Sequence, residues 1–336
     1  MARIEKYGLA LGLGLAFTST ALFTTEVDAQ DWKPQKPVEF VIMAGAGGGA
    51  DQIARLIQNI VQKNDLSNVP FIPVNKGGGS GAEGLRYLAD KSGDCHTIMV
   101  SLNSFFTTPL RQGRLGVDPR AFTPIAMMAV DPFVLWVRSE SDVETLDQWI
   151  AEVKEAGSDY VVGGTGNGQE DSLVFTMLRT TLGLPDFTYV PYEGGGDVAK
   201  NLIGGHITAT VNNPAEQTGF YQAGMSRPIM VIASERLSAY PDTPSAAELG
   251  YEDLEYFQYR FIVGPPEMPK ECQNYYTEVM RQVNDSEEWV KYTKEQSLER
   301  NFLSQEKLAQ FISRQYDVHA DMLTAMGEEV HKAEAQ

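Results

Sequence analysis

Metal and redox chemistry are poorly served by this chain of 336 residues, which carries only two cysteines and four histidines. Cys95 and Cys272 form no CxxC pair. His96, His206, His319 and His331 are scattered, with no HExxH. The usual spacings of a zinc site are therefore missing. Basic residues are also short: 27 Lys and Arg stand against 45 Asp and Glu, a formal net charge of −18. Nucleic acid needs a basic face, so it is excluded as a partner. The same imbalance repels anions at long range, so any anion selectivity must come from local dipoles. No apolar run reaches the ~18 residues needed to span a bilayer. No glycine loop ends in Lys-Ser/Thr, so a Walker phosphate site is lacking too.

Glycine is what the chain does have. The apolar run Val38 to Met43 leads into Gly45-Ala46-Gly47-Gly48-Gly49-Ala50-Asp51. Ile53, Leu56, Ile57, Ile60 and Val61 then recur at helical spacing. A strand, a glycine loop and a helix in that order make a neutral anion cradle. Glycine lets the backbone approach a ligand, and the first helical turn offers unpaired N–H groups. Similar loops recur at Gly77 to Gly81, Gly163 to Gly168 and Pro191 to Gly196.

Strand and helix signals alternate for most of the length, an α/β pattern. Open α/β sheets bind ligands outside the carboxyl ends of their strands, where these loops fall. The β-rich stretch Ile125 to Val137 is broken by Asp131-Pro132 and reads as a crossing between two domains. Ile229 to Ala233 reads as the return. This gives a first domain of residues 30–130 plus 232–336 and a second of 131–231, with a ligand cleft between them. Residues 1–29 read as an export signal: Arg3 and Lys6 precede a short apolar stretch, and Val27-Asp28-Ala29 fits a cleavage site. Export permits a disulfide. Cys95 with Cys272 is the one intramolecular pairing available, and two buried free thiols are the alternative. His319 falls on the apolar face of a last helix and reads as a core or boundary histidine.

Gly45-x-Gly47-x-x-Ala50 with Asp65 downstream satisfies the dinucleotide fingerprint. That pattern is short, an exported protein meets little NAD, and the reading leaves three glycine loops unexplained. Ser80 lies among glycines but lacks nucleophile-elbow spacing. No histidine falls in the loops to act as a general base, which counts against an enzyme.

Taken in order, the motifs resemble the solute receptors of tripartite tricarboxylate transporters, the Bug receptor family. They are Lys36-Pro37-Val38-Glu39-Phe40-Val41 running into Gly47-Gly48-Gly49-Ala50-Asp51, Val74-Asn75-Lys76-Gly77-Gly78-Gly79-Ser80-Gly81, Gly166-Asn167-Gly168 and Val190-Pro191-Tyr192-Glu193-Gly194-Gly195. Arg236 to Ser245 and Glu248-Leu249-Gly250-Tyr251 follow. The resemblance implies a two-domain, periplasmic-binding-protein-like flytrap of mixed sheets flanked by helices. It implies a periplasmic monomer without cofactor or metal. Such a receptor captures a small organic carboxylate and hands it to membrane permease subunits. A receptor that reports to a signalling system, or a secreted α/β enzyme, is the alternative.

The resemblance also implies a ligand carboxylate held by loop N–H groups, hydroxyls and waters. In this sequence those positions are Ala46, Gly47 and Gly48 with Ser101, Asn103 and Ser104, then Thr165, Gly166 and Asn167, then Tyr192 and Gly194. Asn212 closes the site from below, and Arg260 either grips a distal acid or pairs with nearby acids. Asp51 caps the helix or orients a water. Phe105, Phe106, Tyr192, Phe257 and Tyr259 either line an apolar pocket or pack the core. The sequence departs from the family in Ser172, where many relatives carry His, and in Glu193, where many carry Lys. Tyr256 to Arg260 replaces a Trp-rich segment. Glu170, Asp171, Glu193 and Asp197 stand at helix starts, where solvated acids favour the dipole. Alternatively they repel a second ligand carboxylate, or meet a ligand amine or a bound cation.

Overall fold

Val38-Glu39-Phe40-Val41-Ile42 forms β1 (Val38–Ile42), buried on both faces, as its nearly unbroken apolar composition requires. The computed structural model describes residues 32–333. The leader expected over 1–29 lies outside them. The first units follow as α1 (Gly49–Lys63), β2 (Phe71–Asn75), α2 (Ala82–Ala89), β3 (Thr97–Ser101) and α3 (Ser104–Arg111). The long β stretch is two strands, β4 (Phe122–Pro132) and β5 (Val134–Arg138). Then come α4 (Leu146–Ala156), β6 (Val161–Thr165), α5 (Glu170–Leu182), β7 (Thr188–Tyr192), α6 (Gly195–Ile203) and β8 (Ala209–Thr210). The chain goes on through α7 (Pro214–Gln222), β9 (Ser226–Val231), β10 (Phe257–Pro266), α8 (Lys270–Asp285), α9 (Glu287–Glu295), β11 (Glu299–Ser304) and α10 (Gln305–Ala325).

The strands make two sheets, of order β11-β4-β10-β3-β1-β2 and β7-β6-β8-β5-β9. In the first, β1 runs parallel to β2 and β3, and β10 is antiparallel to β3 and β4. In the second, β6 is parallel to β7 and β8, and β5 is antiparallel to β8 and β9. Both are mixed sheets flanked by helices, as the α/β reading expects. β4 and β5 lie in different sheets, so the chain does cross at Pro132-Phe133. The expected return at Ile229 to Ala233 does not occur there. β9 still pairs with β5, and Ile232, Ala246, Leu254 and Tyr256 pack in the core of the second sheet. The return strand is β10, which pairs with β3 and β4 of the first sheet.

Each sheet has its own core. In the first, α1 buries Ile53, Ala54, Ile57 and Ile60 beside Phe40 and Val41, and α8 adds Tyr276, Val279 and Met280. In the second, Trp149 of α4 and Phe175 and Leu178 of α5 pack with Leu135 and Val137. Cys95 and Cys272 are disulfide-bonded, with Cα atoms 5.7 Å apart. The bond ties α8 to the segment before β3. No helix among the described residues is long and apolar enough to cross a membrane.

Candidate functional site

Two glycine loops, one from each sheet, touch backbone to backbone. Gly47 has φ +78, a left-handed conformation that suits glycine. A Cβ on Gly45 would come within 2.6 Å of the Glu193 carbonyl oxygen, and one on Gly196 within 2.8 Å of the Gly47 carbonyl oxygen. Glycine is the residue that permits this approach. Beneath it, the Gly49 N–H at the start of α1 donates to Glu216 Oε1 of α7 at 3.0 Å. The Ser104 N–H at the start of α3 donates to Glu170 Oε1 of α5. These two helix N-termini of the first sheet thus each meet a carboxylate carried by the second.

Two connected spaces lie at this seam. The larger, about 850 Å³, is lined by Ala44 to Ala46, Asn75 and Gly77 to Ser80 on one side, and by Gly166, Gln169 and Pro191 to Glu193 on the other. No Lys or Arg lines it, and Glu83, Glu193 and Asp197 supply its charge. The smaller, about 30 Å³, shares Ala44, Gln169 and Glu193 with the larger. It continues to Glu170, Asp171, Glu216, Gln258 and Arg260. On that scale it holds about two waters.

The deep end is dense in buried charge. Asp131, Glu170, Arg260 and Asp171 are 0, 2, 3 and 5% exposed. Arg260 donates through Nε to Asp131 Oδ2 at 3.0 Å and through Nη2 to Asn213 Oδ1 at 3.0 Å. Burial pushes Asp131 up to about 6, even against the attraction of Arg260. Burial likewise raises Glu170, opposed by backbone N–H groups including that of Ser104. It raises Asp171 well above its ordinary value, with Glu216 adding to the effect. Asp51 goes the other way. Burial raises it, but Arg55, the Gly47 N–H and Asn75 together bring it below its ordinary value. Its Oδ2 accepts the Gly47 N–H at 2.9 Å, so it braces the loop before α1.

The sequence profile TctC, described as "Tripartite tricarboxylate transporter family receptor", matches residues 53–327. The chain belongs to this family. Among TctC relatives, BugT of Bordetella pertussis is 26% identical over 245 residues, which cover 71% of this chain and 73% of BugT. The UPF0065 protein in the TAR-I ttuE-ttuC′ intergenic region of Agrobacterium vitis is 26% identical over 254 residues, covering 75% of this chain and 72% of that protein. Solved structures share the fold. The periplasmic binding protein BugD superposes with a TM-score of 0.83 at 22% identity, covering 88% of this chain and 99% of BugD. Rpa4515 of R. palustris with adipate gives a TM-score of 0.82 at 22% identity, covering 88% of this chain and 98% of that one. MatC of Rhodopseudomonas palustris with bound malate gives 0.77 at 21%, covering 86% and 99%. The architecture is the two-sheet, periplasmic-binding-protein-like fold.

Within this TctC fold, Ala46, Gly166 and Tyr192 line the large cavity. Gly48, Thr165, Gly194 and Arg260 line the small one. Gly47 faces Gly196, and the Asn167 carbonyl accepts from Ser80 Oγ at 3.3 Å. Asn212 sits behind the seam, donating to Glu216 Oε2 at 2.7 Å and to the Gly195 carbonyl at 3.2 Å. Ser101 Oγ donates to the Phe261 carbonyl at 3.1 Å. Asn103 bridges the Phe257 carbonyl and the Tyr259 N–H. These two side chains therefore fasten β3 and α3 to β10. The N–H groups of Thr165 and Gly166 go to Asp171 Oδ2 and Gln169 Oε1, at 2.8 and 2.6 Å.

Glu170 and Asp171 are not the solvated helix-start acids expected of them, because the facing loops bury both. Of the five aromatics, only Tyr192 lines the large cavity. Phe105 and Phe106 pack edge to face with each other, and Phe105 does the same on Phe261. Tyr259 packs edge-on against Phe311, and Phe257 lies against the core beneath β5 and β9. Glu216, Gln169, Gln258, Asp131 and Asn213 complete the site without having been singled out. For Glu216 a signal existed in Asn213-Pro214-Ala215-Glu216, the spacing at which an acid returns to the residue that opens a helix. Its Oε2 accepts the Asn213 N–H at 3.1 Å. Gln258 and Asp131 left no local signal.

Proposed function

We propose that this receptor captures a small organic carboxylate at the seam between its two sheets and delivers it to the membrane subunits of a tripartite transporter. The observation that carries the reading is the glycine-walled cavity of about 850 Å³ between the β1–α1 loop and the loops after β6 and β7, in a TctC-family chain. Backbone donors and helix N-termini hold a carboxylate well where water is scarce. The malate and adipate of the two R. palustris structures are acids of suitable size. Ala46, Gly48, Gly166, Tyr192 and Gly194 line the site, Gly47 and Asn167 shape its loops, and Asn212 supports it through Glu216.

The lobes are the two sheets with their helices. The second comprises roughly residues 133–256, and the hinge strands are the Pro132-Phe133 crossing and the entry to β10. A ligand that touches both lobes favours the closed state. The chain works outside the cytoplasm, after removal of residues 1–29, as a non-catalytic monomer. Affinity is expected to be micromolar or tighter, about −8 kcal/mol or better.

A thermal-shift screen with mono-, di- and tricarboxylates tests the reading, since a ligand of the folded state raises the melting temperature. A shift with one acid class supports it. Absence of any shift, with no acid released on denaturation, sinks it. Loss of solute uptake on deleting the permease subunits checks the transport role against sensing.

A further inference from the structure

The three carboxylates at the deep end of the cleft find no use in a site for a simple acid. Arg260 is committed to Asp131 and Asn213. Glu170, Asp171 and Glu216 form no ion pair with any Lys, Arg or His among the described residues, yet all three line the small cavity. The N–H groups of Ser104, Thr165 and Gly49 each donate to one of them and leave further acceptor capacity on the carboxyl oxygens. A second, independent observation points to a ligand group. Gln258 lines the same cavity and is 2% exposed, and neither its amide nitrogen nor its carbonyl oxygen makes a hydrogen bond. Buried amides are normally paired, so this one presents a free carbonyl acceptor, with an N–H donor beside it, to whatever enters.

The acids do not converge at metal-ligand spacing, because no group of three among the described residues could hold a metal ion. A space of about 30 Å³ lined by three carboxyl groups and the Gln258 amide, with Arg260 in its wall already paired to Asp131, suits an ammonium group, which has three donors and no acceptor. A second carboxylate would meet three other carboxyl groups there. The larger cavity, which shares three walls with this one, is neutral where its glycines line it. One short molecule can therefore place its cationic end deep and its anionic end in the glycine loops.

We propose that the solute carries an ammonium group as well as a carboxylate, with the ammonium held among Glu170, Asp171, Glu216 and Gln258. This rests on the carboxylate-receptor reading and narrows it to amino acids.

Calorimetric titration of the exported protein with matched probes tests it: glutamate against glutarate, 4-aminobutyrate against butyrate, 6-aminohexanoate against hexanoate, and butylamine alone. The expected result is that at least one amino acid binds tenfold or more tightly than its partner lacking the amine. Glu170→Gln should then reduce that affinity tenfold or more without weakening the partner. Asp171→Asn serves the same purpose if the first variant fails to fold, and the wild-type comparison decides without either. Binding of glutarate, butyrate or hexanoate as tightly as the amino counterpart overturns the ammonium site and leaves the carboxylate receptor standing. Butylamine binding as tightly as 4-aminobutyrate supports the ammonium site and overturns the carboxylate one. No binding by any probe overturns both.

Discussion

Arg260 and Asp131 form a fully buried ion pair, with Asn213 as a third partner. Such pairs add little over an apolar replacement, but removing one member strands a buried charge. Asp131→Ala is therefore expected to cost about 3–5 kcal/mol, measured by urea unfolding, while an exposed pair such as Lys291–Glu295 costs under about 1 kcal/mol. His319 is the other buried titrating group with a clear consequence. It stacks on Phe106 at 5.0 Å, and Nδ1 lies 2.7 Å from the Gln315 carbonyl. Burial lowers it to about 4 from 6.5. The unfolded chain thus binds the proton first, so the stability this residue contributes is complete above about pH 6.5 and is lost as pH falls toward 4. Asp131, raised to about 6, has the opposite sign: its contribution is full below 3.8 and lost as pH rises through 6. The stability of wild type relative to His319→Gln should therefore climb between pH 4 and 6.5 and stay flat above. A difference independent of pH would show that His319 does not titrate on unfolding.

Among the elements, the loops decide binding and the strands decide stability. Gly48 lies 3.4 Å, measured from a built Cβ, from the Gly195 nitrogen, and Gly196 is closer still to Gly47. A bulky residue at either position holds the loops apart but removes nothing from either core. Gly48→Leu is expected to lose ligand binding by more than tenfold with a nearly unchanged melting temperature, checked by titration and by a thermal scan. Unfolding instead would make the loop structural, and retained affinity would move the ligand elsewhere. The first-unit strands and helices were legible in the sequence because their apolar periods are clean. β11 was not, because Glu299-Arg300-Asn301 is polar and becomes a strand only by pairing with β4 at the sheet edge. The return through β10 was missed for a related reason. Ile229-Met230-Val231-Ile232 reads as strongly β, and only its pairing with β5 fixes which sheet it joins.

At the scale of the whole molecule, two cores meet at a seam that carries buried charge. The Cys95–Cys272 bond lies wholly within the first lobe and spans 177 residues, so it closes a loop that contains the entire second lobe. Replacing both cysteines by serine should cost about 2–5 kcal/mol of stability, chiefly by freeing the unfolded chain. Ligand affinity of the folded variant should be unchanged, since neither cysteine lines the cleft. Unfolding curves with and without reductant measure the first expectation, and a binding titration measures the second. Equal stability would mean that the bond does not form in the protein as isolated.

The sequence by itself determined the α/β class, the glycine loops at strand ends and the family, because these are written in local period and in ordered motifs. It also placed Ala46, Gly48, Gly166, Tyr192 and Gly194 in the loops that line the cleft. Only the tertiary structure decided what the acids do. Glu170 and Asp171 open a helix whose local context is that of any solvated N-terminus. Glu170 meets the start of α3, 66 positions away along the chain, and shares its small cavity with Asp171 and with Gln258 of β10. The same holds for Asp131 with Arg260, and for Glu216 with Gly49, 167 positions apart. Charge at the base of a cleft is set by which loops fold over it, and no local pattern of residues records that.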